Sequence, residues 1–314
     1  MKLSLIVPCF NEEGNIELFY KEVKKYFENK ISSYEIIFVN DGSQDSTSQK
    51  LLQLHRSHPK NTKIIQFSRN FGKEAAILAG LEKSSGDYVS IIDADLQQSP
   101  KYVVDMVDFL DEHQEYDSVA AYQKVRKESK MMTWFKDTFY NVINKMTEVE
   151  ISHSASDFRT LRRNVVETII GLPERCRFSK GIFAWVGYNT YLMPYIVDER
   201  ASGESKWNFF KLFSYAMDGI IAFSTKPLVL SVILGMIISL ISVIMFIYIF
   251  IKKFIFLYNI SSLLILISLI LFVSGIQLFA VGILGQYLAK IYTEAKHRPI
   301  YIIKDYYDGE EYDG

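Results

Sequence analysis

The sequence predicts an α/β fold: a mostly parallel sheet flanked by helices, followed by a two-helix transmembrane hairpin with amphipathic juxtamembrane helices. Three observations carry that expectation. Short apolar runs alternate with amphipathic stretches as far as about residue 200, and acid-bearing polar clusters follow several of the runs closely. After Pro227, charge nearly vanishes over two long spans.

The apolar runs are Leu3 to Val7, Ile36 to Val39, Ile64 to Phe67, Val89 to Ile92 and Ser118 to Ala121. Most are rich in β-branched residues without polar alternation, the pattern of strands covered on both faces. The stretch Met1 to Phe10, with a single lysine and a short apolar run ending at Pro8, is too short for a signal peptide and reads as a buried first strand. Between the runs, Ile16, Phe19, Tyr20, Val23 and Phe27 recur at helical spacing, as do Val103, Val104, Val107 and Leu110. Alternating strands and helices imply a largely parallel sheet with ligands at the carboxyl ends of its strands. The clusters Asn11-Glu12-Glu13, Asp41-Gly42-Ser43 and Asp93-Ala94-Asp95 should therefore face one crevice.

The spans Leu228 to Ile251 and Leu263 to Leu288 are each long enough to cross a hydrocarbon core of about 30 Å as helices. Lys206, Lys211 and Lys226 before them, with Lys290, Lys296 and Arg298 after them, outnumber Lys252 and Lys253 in the turn and place the flanks in the cytoplasm. Amphipathic stretches at Trp207 to Phe223 and Met131 to Met146 suit a headgroup boundary. The expected organisation is a cytoplasmic domain over 1–206, a juxtamembrane segment over 207–227, spans over 228–251 and 263–289, and a cytoplasmic tail over 290–314. The tail's acidic, Tyr-rich end from Tyr306 is expected to fray.

Across 314 residues the formal net charge is -1, which lends nucleic-acid binding no support. Cys9 and Cys176 have no metal or disulfide spacing and read as packing residues. Basic clusters, at Lys124 to Lys136 and at Arg159, Arg162 and Arg163, could face anionic lipid or a solvated surface.

Asp93-Ala94-Asp95 at a strand end carries the strongest chemical signal. Two carboxylates there can hold Mg²⁺ or Mn²⁺ through oxygen, and such an ion shares its remaining positions with water and substrate phosphates. Asp41, after another strand, can accept hydrogen bonds from a base or ribose, while Asp45, Ser46 and Thr47 suit capping of the next helix. No Gly-x-Gly-x-x-Gly follows the first strand and no Gly-Lys-Ser/Thr loop occurs, so dinucleotide and P-loop fingerprints are absent.

Val7-Pro8-Cys9-Phe10-Asn11-Glu12, Asn40-Asp41-Gly42-Ser43, Ser68-Arg69-Asn70-Phe71-Gly72-Lys73-Glu74, Asp93-Ala94-Asp95-Leu96-Gln97 and Ser156-Asp157-Phe158-Arg159, in this order, resemble the inverting family-2 glycosyltransferases of the polyprenyl-phosphate branch. The paired apolar spans and Arg200-Ala201-Ser202-Gly203-Glu204-Ser205-Lys206-Trp207 make the chain similar to the bacterial undecaprenyl-phosphate members. The resemblance implies a GT-A-type fold in a bacterial cytoplasmic membrane, with a UDP-sugar donor, a polyprenyl-phosphate acceptor and Mg²⁺ or Mn²⁺. It also implies a homo-oligomer, a tetramer through the membrane helices, and a flippase and a polytopic glycosyltransferase downstream. Carried over by position, Pro8, Glu12, Asp41, Asp93 and Lys73 would line the nucleotide site, and Asp93 and Asp95 would place the metal. Asp157 would be the catalytic carboxylate, and Arg159, Arg177, Arg200, Ser205 and Lys206 would meet phosphate or acceptor. Where relatives of this type commonly carry a histidine, this chain has Gln98.

The implied chemistry is direct attack by a phosphate that is mostly ionised at neutral pH, giving inversion, with Asp157 as a base or a positioning group. Glucose and N-acetylglucosamine are the implied sugars, and Arg177-Phe178-Ser179-Lys180-Gly181 favours the second by its resemblance to a Gram-positive subgroup. The alternative in a different class is a non-catalytic sugar-nucleotide sensor or scaffold, against which every expected acidic position being occupied counts.

Overall fold

A computed structural model describes residues 3–28, 30–123, 155–175, 177–196, 226–255 and 262–309. The expected amphipathic stretches, the basic cluster from Lys124 and the Arg200, Ser205 and Lys206 loop lie outside the described residues. In chain order the elements are β1 (Leu3–Cys9), α1 (Ile16–Phe27), β2 (Tyr34–Asn40), α2 (Thr47–Ser57), β3 (Thr62–Phe67), α3 (Lys73–Lys83), β4 (Tyr88–Ile91) and α4 (Lys101–Glu112). There follow β5 (Ser118–Gln123), β6 (Ala155–Arg162), α5 (Arg163–Ile170), α6 (Ser179–Trp185), β7 (Thr190–Tyr195), α7 (Lys226–Ile255), α8 (Ser262–Ala295) and β8 (Ile303–Asp308).

The strands form one sheet in the order β7-β5-β6-β4-β1-β2-β3-β8. Its centre, β4-β1-β2-β3, is parallel, as the alternation of runs and helices predicts. The flanks make it mixed rather than mostly parallel throughout: β6 runs antiparallel to β4 and β5, and β8 antiparallel to β3. Neither strand is an apolar run. β6 intersperses Asp157, Arg159 and Arg162 among Phe158 and Leu161, and β8 is an acidic edge strand, so their charged residues hide them from a search for buried strands. The tail end expected to fray is thus ordered through Asp308, because β8 finds a partner more than two hundred residues away in sequence. Lys63 Nζ fastens it, 2.9 Å from Asp308 Oδ2 and 3.2 Å from Glu35 Oε2.

Helices cover both faces. The predicted stripe Ile16, Phe19, Tyr20, Val23 and Phe27 is buried against β1 and β2 together with α2 and α4 residues. The opposite face is filled by Ile77 and Leu81 of α3, Val165, Val166 and Ile169 of α5, and Ile182 and Phe183 of α6. Each such side chain contributes roughly 1.5–3 kcal/mol by burial. Successive strands grow outward from β1 through β2 to β3, then the chain crosses back to lay β4 on the other side of β1. That reversal opens a crevice at the carboxyl ends of β1 and β4. Pro8 sits there without cost to the ladder: β4 pairs only as far as Ile6, so no β4 carbonyl awaits the donor that proline lacks.

Among the described residues one span, Phe272–Ala295 of α8, is long and apolar enough to cross a membrane. At 1.5 Å per residue it extends about 36 Å. α7 contacts α8, and large apolar side chains of both helices, Leu240, Leu278 and Leu284 among them, stand exposed.

One buried carboxylate makes the sheet acid-sensitive. Burial alone would raise the Glu35 pKa, but hydrogen bonds from Ser4 Oγ (2.5 Å) and from the Ser85 amide and hydroxyl (2.9 and 2.8 Å), with the charge of Lys63, hold it at about 2 against an ordinary 4.5. Because the folded pKa is the lower one, this stabilisation is complete above the unfolded value and is lost as pH falls towards 2. Glu35→Gln should lack that dependence, and wild type should lose about 3 kcal/mol more than the variant across the window, read from urea midpoints at successive pH values.

Candidate active site

Three loops meet where β1, β2 and β4 end. The first two are stitched together by side chains accepting backbone amides: Ser43 Oγ takes the Asn11 amide at 2.9 Å, Asn11 Oδ1 the Gln44 amide at 2.9 Å, and Thr47 Oγ1 the Glu12 amide at 2.9 Å. Glu12 Oε2 in turn accepts from Asn15 Nδ2 at 2.7 Å. Asp45 Oδ1 accepts the Thr47 amide at 3.0 Å, an Asx turn just ahead of α2 rather than the expected cap, since the N-cap residue Ser46 makes no side-chain capping bond.

Asp41 is 4% exposed at the end of β2, and both its oxygens are engaged, by the amides of Phe71 at 2.6 Å and Gly72 at 3.0 Å. Burial pushes its carboxyl above the usual range despite those two bonds. Gly42 makes the arrangement possible. Its φ is +67, and a Cβ there would lie 2.6 Å from the Asn70 amide nitrogen, so any larger residue would drive the Arg69–Gly72 segment away from Asp41.

The segment that Asp41 holds delivers Lys73, the first residue of α3. Lys73 Nζ lies 2.6 Å from Asp93 Oδ1 and 3.3 Å from Asp157 Oδ2. Burial opposes its charge, but the two carboxylates outweigh burial and raise its pKa. One ammonium thus joins the end of β4 to β6. Asp157 is held below the usual carboxylate range: burial acts the other way, and Lys73, Lys180 and Arg159 override it. Asp157 Oδ1 is buried with no hydrogen-bond partner among the described residues.

Gln98, standing where a histidine is common, is buried against Asp93. Its Oε1 accepts the Asp93 amide at 3.1 Å and its Nε2 lies 3.4 Å from Asp93 Oδ2. Asp95 Oδ1 accepts the Gln97 amide at 3.1 Å. Among the described residues no three acidic, histidine or cysteine side chains cluster as a metal cage. Two strand-end carboxylates still fit a hard divalent cation whose other positions fall to water and a diphosphate.

The structure therefore brings Asp93, Lys73 and Asp157 into contact, with Asp41 one step behind Lys73 through Gly72. The residues expected to meet phosphate are placed differently. Arg159 is 4% exposed, its guanidinium 3.6 Å over the Phe183 ring, and Nη2 donates to the Ser156 carbonyl at 3.0 Å. Burial lowers its pKa to about 10. Arg177 closes the last turn of α5, donating to the Ile169 and Leu172 carbonyls at 3.0 and 3.3 Å. Glu74 was given no role by sequence reasoning, although it ends a motif that drew attention. It accepts the Ser179 amide at 2.8 Å and the Ser179 hydroxyl, fixing the start of α6 beside Asp157.

With this geometry in view, residues 4–170 match the family described as glycosyl transferase family 2. Relatives are similar along nearly the whole chain. The bactoprenol glucosyl transferase of Shigella phage SfV is 40% identical over 306 residues, 97% of this chain and 99% of that one. The prophage-derived bactoprenol glucosyl transferase of Shigella flexneri is 39% identical over 310 residues, 98% and 99% of the two chains. A mannosyltransferase from Pyrobaculum calidifontis, solved with GDP-mannose and Mn²⁺, shares the fold with a TM-score of 0.50 at 19% identity, over 70% of this chain and 61% of that one. The chain belongs to glycosyl transferase family 2 and is a glycosyltransferase.

Removing the shared ammonium should be severe. Lys73→Met is expected to lower kcat/KM at least roughly a hundredfold, because it removes the cation that Asp93 and Asp157 share. Asp157 would lose its nearest cation and its pKa would rise, so the acid limb of the residual pH profile should move to higher pH. An unmoved limb would separate Lys73 from Asp157 in function.

Proposed function

We propose that this enzyme transfers a single gluco-configured sugar, glucose or N-acetylglucosamine, from its UDP derivative to a polyprenyl phosphate at the cytoplasmic face of a membrane, with inversion. The observation that carries the reading is the Lys73 bridge. It brings the strand-end carboxylate suited to a metal–diphosphate and the β6 carboxylate within reach of one cation, so donor and acceptor functions would share a single centre. The names of the Shigella phage relatives favour a lipid acceptor and glucose. The α8 span favours membrane association, and pairing with α7 would complete the hairpin.

In this reading Pro8, Glu12 and Asp41 shape the nucleotide pocket, and Asp93 and Asp95 would hold Mg²⁺ or Mn²⁺. Such an ion would supply charge neutralisation for the departing UDP. Lys73 would add a second positive charge on the same side. The acceptor phosphate, mostly ionised with a second pKa of about 6, needs little help to attack. A carboxylate whose pKa is depressed is a poor base for it, so Asp157 acts by position: its ionised, unpartnered Oδ1 offers an acceptor to a sugar hydroxyl as the anomeric centre opens. Arg200, Ser205 and Lys206 would close over the site. The lipid-linked sugar would then pass to a flippase and a polytopic transferase.

Purified protein supplied with a divalent cation, a radiolabelled UDP-sugar panel and undecaprenyl phosphate should form one lipid product bearing one sugar. Asp95→Ala should reduce turnover at least roughly a hundredfold while leaving the circular dichroism spectrum unchanged. UDP-sugar binding without transfer to any polyprenyl phosphate would instead identify a sensor, and a ladder of products a polymerase.

A further inference from the structure

The loop after β4 folds back on its own beginning. Leu96 has a left-handed backbone, with φ at +61, which a bulky residue adopts only where its surroundings hold it there. Its side chain packs against the hydrophobic core, and Asp95 Oδ1 braces the turn by accepting the Gln97 amide at 3.1 Å. The reversal returns Gln98 to Asp93. We propose that Gln98 is a positioning residue for the metal: its amide fixes the orientation of the Asp93 carboxylate and so sets the affinity of the site for a divalent cation. The inference rests on the assignment of Asp93 and Asp95 to that cation made above.

The two partners define which way the amide faces. A backbone N–H can only donate and an ionised carboxylate can only accept, so Oε1 meets the Asp93 amide, at 3.1 Å, and Nε2 faces Asp93 Oδ2, at 3.4 Å. One planar group thereby touches the main chain and the carboxylate of the same residue, which restrains rotation of the Asp93 side chain. An amide suits this task because its carbonyl and one of its N–H bonds point the same way. The imidazole of the histidine common in relatives of this type carries its nitrogens on diverging edges and could not make both bonds at once.

The other oxygen is held as well. Lys73 Nζ lies 2.6 Å from Asp93 Oδ1, so the carboxylate is gripped at both ends. A carboxylate has about four acceptor sites, and these contacts occupy one on each oxygen, which leaves capacity for a cation. The positive charge beside Oδ1 favours a dication at Oδ2, the oxygen that Gln98 orients. Asp93 stays open to such an ion, its side chain 33% exposed, whereas Gln98 is 8% exposed.

Gln98 is itself set on a fixed base. The Ser99 and Pro100 carbonyls accept the Tyr102 and Val103 amides at 3.1 Å each and so begin α4, which Val103, Val104 and Val107 bury in the core. The restraint also adds no charge. A neutral amide holds an anion without cancelling the attraction that draws a cation to it, as a second lysine at this place would.

The test is Mn²⁺ binding to the full chain in neutral detergent with UDP present, read from the electron paramagnetic resonance signal of the free ion. Gln98→Met removes both bonds at nearly constant length, and Gln98→Asn withdraws the amide by one methylene. Each should weaken Mn²⁺ binding roughly ten- to hundredfold, as loss of a partner that orients a metal ligand does, with the metal-free thermal midpoint unchanged. Saturating Mn²⁺ should return kcat towards the wild-type value. Either variant suffices if the other fails to fold. Wild-type Mn²⁺ affinity in a folded variant would overturn the proposal, and so would a loss of affinity matched by a fall in the midpoint, which would make Gln98 a structural residue of the loop. A wild-type chain that takes up no Mn²⁺ beside UDP would bring down the metal assignment itself, whereas variants that bind as well as a binding wild type would bring down the role of Gln98 alone.

Discussion

The ammonium of Lys73, shared between Asp93 and Asp157, is the interaction on which the site depends. Two carboxylates from different strands would repel one another across a partly dehydrated crevice. A cation between them turns that repulsion into a bond between the end of β4 and the antiparallel strand β6. The arrangement requires Lys73 to enter α3 at one place, and Asp41 secures it by accepting the amides of the two residues before it. Gly42 permits that approach because it has no side chain to hold the segments apart. Catalytic placement is thus a chain of dependencies running from the end of β2 through a loop to the start of α3.

The second constraint joins the membrane-length helix to the sheet. After α8 the chain does not trail off; it returns as β8, pairs with β3, and is held by Lys63 and by the stacking of Tyr301 on Phe67. Glu294 and Arg175 tie the helix end to the segment leading into α6, which begins beside Asp157 through Ser179 and Glu74. The helix and the reacting centre are therefore connected by short, bonded segments, so the catalytic layer has a set orientation with respect to α8.

Much of the fold was legible because the central strands are buried on both faces, and burial of that kind writes itself into a chain as uninterrupted apolar runs. All five runs became strands, and the stripes of α1 and α4 are buried as their spacing requires. β6 and β8 were not legible for the converse reason. Their charged residues serve the site or the sheet edge, and their partners are distant, so nothing local marks them as strands. Likewise Gln98 reads as a departure from a motif, and only its contact with Asp93 gives it a part in the site.

The sequence by itself determined the identity of the acidic groups, the strands they follow and the apolar spans, because residue type and local periodicity depend on near neighbours alone. The tertiary structure decided which charges meet. Lys73 with two aspartates, Glu74 with Ser179, Arg159 beneath Phe183 and Arg175 against the end of α8 are contacts across long stretches of chain, set by how the layers pack and by which charges burial leaves in need of a partner.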